Sequence, residues 1–320
     1  MAFFWMGSEN DPFSNLALEA SFCRLAAKIG QPILYLWQNV PCVVIGCSQN
    51  PWLECDLAAM DADGVLLVRR RTGGGAVYHD GGNLNYSFCL PEGMFSEERQ
   101  YGVILDALRS LGIRAERTGR NDLVAGGKKL SGSAFLHSNG AALQHGTLLV
   151  ESDLSVFGRY LTPEREKFAA KGVKSVSSRV ANLTEFAPEL TIERLCTAII
   201  DAFSAEYGLT ESAVLPDSEE LERETAEFRA WEFRYGKTPR FDRACSRRFA
   251  FGGIKLLFTI TNGVVTECGV NSDLLDTEFP AALAATLTGV RFLPQELAEA
   301  AQRVCTGAYT EVASWLATIE

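Results

Sequence analysis

Val65-Leu66-Leu67-Val68-Arg69-Arg70-Arg71-Thr72-Gly73-Gly74-Gly75-Ala76-Val77-Tyr78-His79-Asp80 joins an apolar run to three consecutive arginines and three consecutive glycines. The apolar residues read as a short buried strand that delivers the arginines at its end. Three glycines remove every Cβ and leave φ unrestricted, so backbone N–H groups can converge on an anion at contact distance. Arginine adds a planar fork suited to phosphate or carboxylate. The stretch is neither a Gly-x-x-x-x-Gly-Lys-Ser/Thr loop nor a Gly-x-Gly-x-x-Gly turn opening a helix. Two readings stand for the triplet alone: a phosphate cradle, or a glycine-rich hairpin with a solvated basic flank.

Toward the N-terminus, Asp11-Pro12 is a cap followed by proline in the first helical turn, and it predicts a helix ending near Gly30. Phe13, Leu16, Ala20, Cys23 and Ala27 fall at helical spacing on its expected inner face. Residues 33–37 and 42–46 read as strands, 48–52 as a polar turn that connects or faces a ligand, and 57–62 as a short helix. Beyond the glycines, residues 83–88 alternate polar and apolar side chains, which predicts a strand with its polar face toward the cradle. A helix over 97–111 is expected to stop at Gly112.

The second informative stretch, Gly119 to Ala134, sets Asp122, Lys128, Lys129, Ser131 and Ser133 among glycines. Lys129 and Ser131 lie two apart and share one face of an extended segment, with Ser133 continuing it. A lysine on a buried face requires a carboxylate or phosphate partner, so an inward Lys129 is functional. If Lys128 points inward instead, the assignment shifts by one residue; the register stays open. His145 enters a further strand, either as a hydrogen-bonded core histidine or as an acid–base group. The basic, hydroxyl-rich stretch 171–183 is a solvated face or the seat of a substrate lid.

The 320 residues, 47% hydrophobic, can bury a full core and suggest a large domain plus a smaller one. A formal net charge of -10 argues against nucleic-acid binding, which needs a basic face. The nine cysteines contain no Cys-x-x-Cys pair and read as reduced thiols; three histidines without a His-Glu-x-x-His pattern make a zinc site unexpected. No segment has the length and apolarity of a membrane span, and the first residues lack the pattern of a secretory signal, so the cytoplasm is the expected location. A helix over 218–230 and the turn residues of 231–239 separate a first domain, 1–241, from a second, 246–320. In the second, residues 248–251, 254–260 and 264–270 read as strands joined by Gly252-Gly253 and Asn262-Gly263 turns, followed by three helical segments.

Taken together, Arg69-Arg70-x-x-Gly73-Gly74-Gly75-Ala76-Val77-Tyr78-His79-Asp80, Gly119-Arg120-Asn121-Asp122, Lys129-Leu130-Ser131-Gly132-Ser133, His145-Gly146-Thr147 and Ser178-Arg179-Val180-x-Asn182-Leu183-Thr184 resemble the lipoate–protein ligase family, in order and spacing. The resemblance extends from Asp11 into the C-terminal segment. It implies an α+β protein: a mixed-sheet catalytic domain of the biotin/lipoate protein ligase type plus a small α+β C-terminal domain. Two departures are Thr72, where many relatives carry serine, and the short, glycine-rich 125–128 segment, which bears on how that loop closes over a nucleotide.

The resemblance also implies the chemistry. Lipoate is activated by ATP as lipoyl-AMP, and the lipoyl group then passes to a lysine of an acceptor protein. Arg70 with the backbone of Gly75, Ala76, Val77 and Tyr78 would hold the nucleotide phosphates. Lys129, the catalytic residue, would contact both the lipoyl carboxyl and the α-phosphate. Gly73, Gly74, His79, Ser133 and His145 would join Lys129 in binding lipoate. Mg2+ would bridge phosphates, with Asp122 holding the metal or orienting Lys129. The implied acceptors are lipoyl domains of 2-oxoacid dehydrogenase E2 subunits or the glycine cleavage H protein; no nucleic acid or membrane partner is implied, and a monomer is expected. The alternatives are an ATP-independent lipoyl or octanoyl transferase, and a non-catalytic protein that binds lipoate or lipoyl-AMP.

Overall fold

The computed structural model describes residues 1–119, 121–161, 180–208, 210–272, 276 and 278–319. Arg120, residues 171–179 of the basic stretch and the Ser178-Arg179 pair therefore lie outside the described residues. The chain forms two compact units, Met1–Cys47 with Leu53–Ala230 and Ser48–Trp52 with Trp231–Glu320. The division at Ala230 lies upstream of the 241/246 join expected from turn residues.

The first unit is built on an eight-stranded mixed sheet. In chain order its strands are β1 (Ala2–Met6), β2 (Ile33–Trp37), β6 (Asn83–Pro91), β7 (Glu116–Thr118), β8 (Asp122–Ala125), β9 (Lys128–Ser138), β10 (Ala141–Leu149) and β11 (Thr210–Ser212). Their spatial order is β11-β1-β2-β6-β10-β9-β8-β7. The β11/β1 and β1/β2 pairs are parallel and the others antiparallel. A small sheet, β3 (Cys42–Ile45) between β4 (Leu66–Arg69) and β5 (Val77–His79), carries the arginine and glycine stretch between its last two strands.

Alternation along β2 and β6 decides what each face meets. Leu34, Leu36, Leu84, Tyr86 and Phe88 join one core with side chains of α2 (Glu97–Ser110) and α3 (Ile192–Tyr207). On the other side lies α1 (Pro12–Ile29), capped by Asp11, whose side chain accepts from Ser14 N–H, and closed by Gly30 at φ 67°. Its buried stripe follows the apolar spacing only in the first turns, where Phe13 and Leu16 are buried as expected. Asn15, Leu18, Glu19, Phe22 and Ala26 are buried, whereas Ala20, Cys23 and Ala27 are only partly so. The helix is turned toward its polar residues because Asn15 and Glu19 each find buried hydrogen-bond partners. The helix α4 (Ser218–Arg229) adds Glu224, 8% exposed, which binds both Arg24 at 2.5 Å and Arg71 at 2.8 Å.

The second unit is an antiparallel sheet of β12 (Phe241–Phe249), β13 (Gly252–Thr261) and β14 (Val264–Ser272), followed by helices α5 (Glu278–Leu287), α6 (Pro294–Ala301) and α7 (Thr310–Leu316). The first turn falls at Ala250-Phe251, and Gly252-Gly253 belong to β13; the expected strand over 248–251 is thus displaced. Stacking explains it: Phe249 and Phe251 lie face to face at 5.0 Å across the turn. Both units are α+β. No helix among the described residues is long and apolar enough to cross a membrane.

Candidate active site

The glycine stretch is held from inside by the arginines that precede it. Arg69, fully buried at the end of β4, donates through Nη1 to the carbonyls of Gly46 (3.1 Å) and Cys47 (2.9 Å). Arg70, 6% exposed, donates through Nε to Thr72 Oγ1 (3.0 Å), through Nη1 to Val44 O (2.9 Å), and through Nη2 to Gly73 O (2.7 Å) and Gly75 O (2.8 Å). Burial lowers both guanidinium groups to about 10, so both keep their charge at neutral pH. Arg70 therefore serves as the clamp that shapes the loop, not as an open fork. Arg71 is directed away, to Glu224 and Glu227 and over the Phe228 ring.

Close approach explains two of the glycines. Gly74 has φ 97°, and a Cβ there would lie 2.8 Å from Arg70 Nη2; a Cβ on Gly46 would lie 2.3 Å from Gly74 O. Gly73 has no such neighbour within 4 Å among the described residues.

Lys129 reaches the site from β9. In the β8/β9 ladder Leu123 pairs with Ser131 and Val124 with Lys129, so Leu130 is an extra, bulged residue. The bulge breaks the expected two-residue relation. Ser133 bonds to Tyr86 (2.8 Å), on the core side with Leu130, whereas Lys129 Nζ lies over Gly132, where a Cβ would come within 2.9 Å of it. Lys129 Nζ sits 2.8 Å from Asp122 Oδ1, and Lys128 pairs instead with Glu185 at 2.7 Å. Behind the lysine, Ala181 N–H donates to Lys129 O at 2.9 Å.

These pieces surround one cavity of about 180 Å³ within the first unit. Its wall includes Arg70, Gly74, Gly75, Ala76, Val77 and Lys129. His79, Ser133 and His145 also line it, with apolar surface from Leu16, Trp37 and Val44. Gly73, Tyr78 and Asp122 lie outside the lining; the Tyr78 ring stacks on Tyr160 at 5.5 Å, and Asp122 is tied in through Lys129. None of the nine free cysteines is among the lining residues. Among the described residues no group of three or more His, Cys, Asp or Glu is placed to hold a metal.

A buried polar chain runs from α1 to the glycine loop. Glu19 Oε1 accepts from Ser87 Oγ (2.5 Å) and pairs with His145 Nδ1 (2.8 Å), while Ser87 accepts from Trp37 Nε1 (2.9 Å). His145 Nε2 meets Thr72 Oγ1 at 2.8 Å, and Thr72 in turn accepts from Arg70 Nε. Glu19 and Thr72 were not among the expected site residues. Glu19 follows Asn15 by one helical turn, but the helix also carries Ser14, Ser21, Arg24 and Lys28, so that spacing alone does not single it out.

Residues 11–204 match the family described as lipoyl protein ligase A/B catalytic domain, and residues 238–316 match the bacterial lipoate protein ligase C-terminus. The chain belongs to the lipoyl protein ligase A/B family, and with that membership comes a ligase-type enzymatic function. Among solved structures, P. falciparum LipL1 in complex with lipoate is 29% identical over 100% of both chains, with a TM-score of 0.66. A bi-partite lipoate protein ligase from Thermoplasma acidophilum is 30% identical, covering 73% of this chain and 95% of its own, with a TM-score of 0.62. A lipoate-protein ligase A bound with ATP is 28% identical, covering 73% and 96% respectively, with a TM-score of 0.61.

Proposed function

We propose that the protein activates free lipoate with ATP and transfers the lipoyl group to a lysine of lipoyl-domain proteins. The observation that carries this reading is the Asp122–Lys129 pair, 2.8 Å apart, on a cavity whose other walls are the clamped glycine loop and an apolar slot. In the first half-reaction a carboxylate oxygen attacks the α-phosphorus, the bond to the bridging oxygen breaks, and pyrophosphate leaves. Two anions must approach, so a fixed cation between them lowers the barrier. Lys129 is the side chain in position, and Asp122 orients its ammonium. Arg70 holds the loop so that the backbone from Gly74 to Val77 faces the phosphates, its buried charge adding to the field.

In the second half-reaction the acceptor's lysine amine attacks the acyl carbon, the anhydride C–O bond breaks, and AMP departs with its electron pair. Lys129 stabilises the developing oxyanion. A hard divalent ion such as Mg2+ fits one carboxylate plus phosphate oxygens and water, so Asp122 suits it without a protein cluster; when bound, the ion neutralises phosphate charge. Lipoate binding by P. falciparum LipL1 and ATP binding by lipoate-protein ligase A support the two substrates, and the E2 lipoyl domain studied with the Thermoplasma acidophilum ligase supports the acceptor class. The absence of cysteine from the cavity wall favours this route over a thiol-dependent, ATP-free transfer.

The experiment is lipoate-dependent exchange of labelled pyrophosphate into ATP with magnesium and no acceptor. Exchange is the expected result. Transfer from supplied lipoyl-AMP without exchange would leave a transferase, and the absence of both would leave a binding protein.

A further inference from the structure

Among the described residues that line the cavity, His79 carries the one buried side-chain nitrogen or oxygen with no hydrogen-bond partner among the described residues, its Nε2. Its other nitrogen, Nδ1, lies 3.0 Å from Asn39 Nδ2. The direction of that amide is set from its far side. The Tyr35 hydroxyl donates to Asn15 Oδ1, which turns Asn15 Nδ2 toward Gln38 O and Asn39 Oδ1. Asn39 therefore presents its NH2 to His79, Nδ1 accepts, and the proton of the neutral ring sits on Nε2. Burial, followed by the nearby Arg70 and His145, pushes the ring down to about 3, so it stays neutral at physiological pH. The outcome is a rigid N–H donor that meets no acceptor among the described residues.

Depth says which end of a substrate meets it. The Lys129 side chain is 39% exposed, whereas His79 is 4% exposed and its ring lies 6.4 Å from that of Trp37. An acid whose carboxylate stays at Lys129 brings the far end of its chain to the buried side. A hydrocarbon tail would cover Nε2–H and leave it unsatisfied, which is costly in a dry site. A sulfur atom is an acceptor, though a weak one.

We propose that His79 is a specificity-determining residue of the acyl slot, whose Nε2–H selects an acid with an acceptor at its far end, a dithiolane sulfur, over a plain hydrocarbon tail. This rests on the ligase reading given above.

The test measures acid-dependent pyrophosphate exchange by the full-length protein with three acids: lipoate, 5-cyclopentylpentanoate, which keeps the ring but has no sulfur, and octanoate. Wild-type kcat/KM is expected to be about tenfold higher for lipoate than for the carbocycle, a discrimination that a site built around a hydrogen bond can exceed. In His79→Phe the ratio should collapse to within about twofold of one, through loss of lipoate turnover. His79→Gln, which retains an N–H donor, should keep part of the preference. An unchanged ratio in His79→Phe, or an equal fall for both ring acids, would overturn the assignment. Should His79→Phe not fold, the wild-type ratio still decides: equal use of lipoate and carbocycle sinks this inference alone, whereas exchange with none of the acids sinks the ligase reading.

Discussion

Replacing Lys129 by alanine removes the only lysine ammonium on the cavity wall among the described residues and leaves Asp122 facing two substrate anions. Lys129→Ala is expected to fold normally and to lose about 10²–10³-fold in pyrophosphate exchange, the scale of a deleted transition-state donor. Exchange within a fewfold of wild type would remove the mechanism. Thr72 poses a different test, because its hydroxyl is the joint between Arg70 and His145. Thr72→Val keeps the shape and strands both neighbours, for a loss of about 1–3 kcal/mol in urea unfolding, whereas Thr72→Ser should lose little. Equal stability of the two variants would show the joint to be incidental. At this scale the sequence marked which residues gather at the cavity better than it marked their contacts. That Arg70, Gly74, Gly75 and Lys129 share one cavity was legible because few other placements suit them; Glu19 was not, because a carboxylate on a buried helix face is visible only once Ser87 and His145 come to meet it.

The strands carry the register that single residues cannot supply. Period-two counting puts Lys129 with Ser131, but one extra residue at Leu130 reverses the relation, and bulges leave no reliable mark on composition. The glycine loop was more readable, since its need for a bare backbone is written in three letters. The triplet is nonetheless unequal. Gly74→Ala combines a φ of 97° with a Cβ 2.8 Å from a guanidinium that five hydrogen bonds hold still. It should cost about 1–3 kcal/mol and depress exchange at least about tenfold. Gly73→Ala meets no neighbour among the described residues, and its stability should stay within about 0.5 kcal/mol of wild type. Paired melting curves and exchange rates check both, and similar behaviour of the two variants would deny the clamp its role.

Across the whole molecule, the turn residues announced two domains but not how the chain supplies the second. Ser48–Trp52, a polar turn in sequence, belongs to the second unit, where Trp52 packs on Tyr235, Phe241 and Phe292 with ring centroids 5.4, 5.3 and 5.8 Å away. Nothing local distinguishes such an excursion from an ordinary loop, because its partners lie almost two hundred residues further on or more. Trp52→Ala should destabilise the second unit by about 3–5 kcal/mol. Hydrogen exchange is the appropriate readout: amides of β12 to β14 should lose protection while those of β6 and β10 keep theirs, and unchanged protection in β12 to β14 would refute the role. The same excursion imposes an order on biosynthesis. A ribosome finishes residues 1–230 before any of Trp52's aromatic partners exists, so the indole waits, uncovered, until Phe241 and Phe292 have been made. Any chaperone that surveys the nascent chain would find its handle there, and a message cut short after Ala230 would yield a protein with that handle permanently on display.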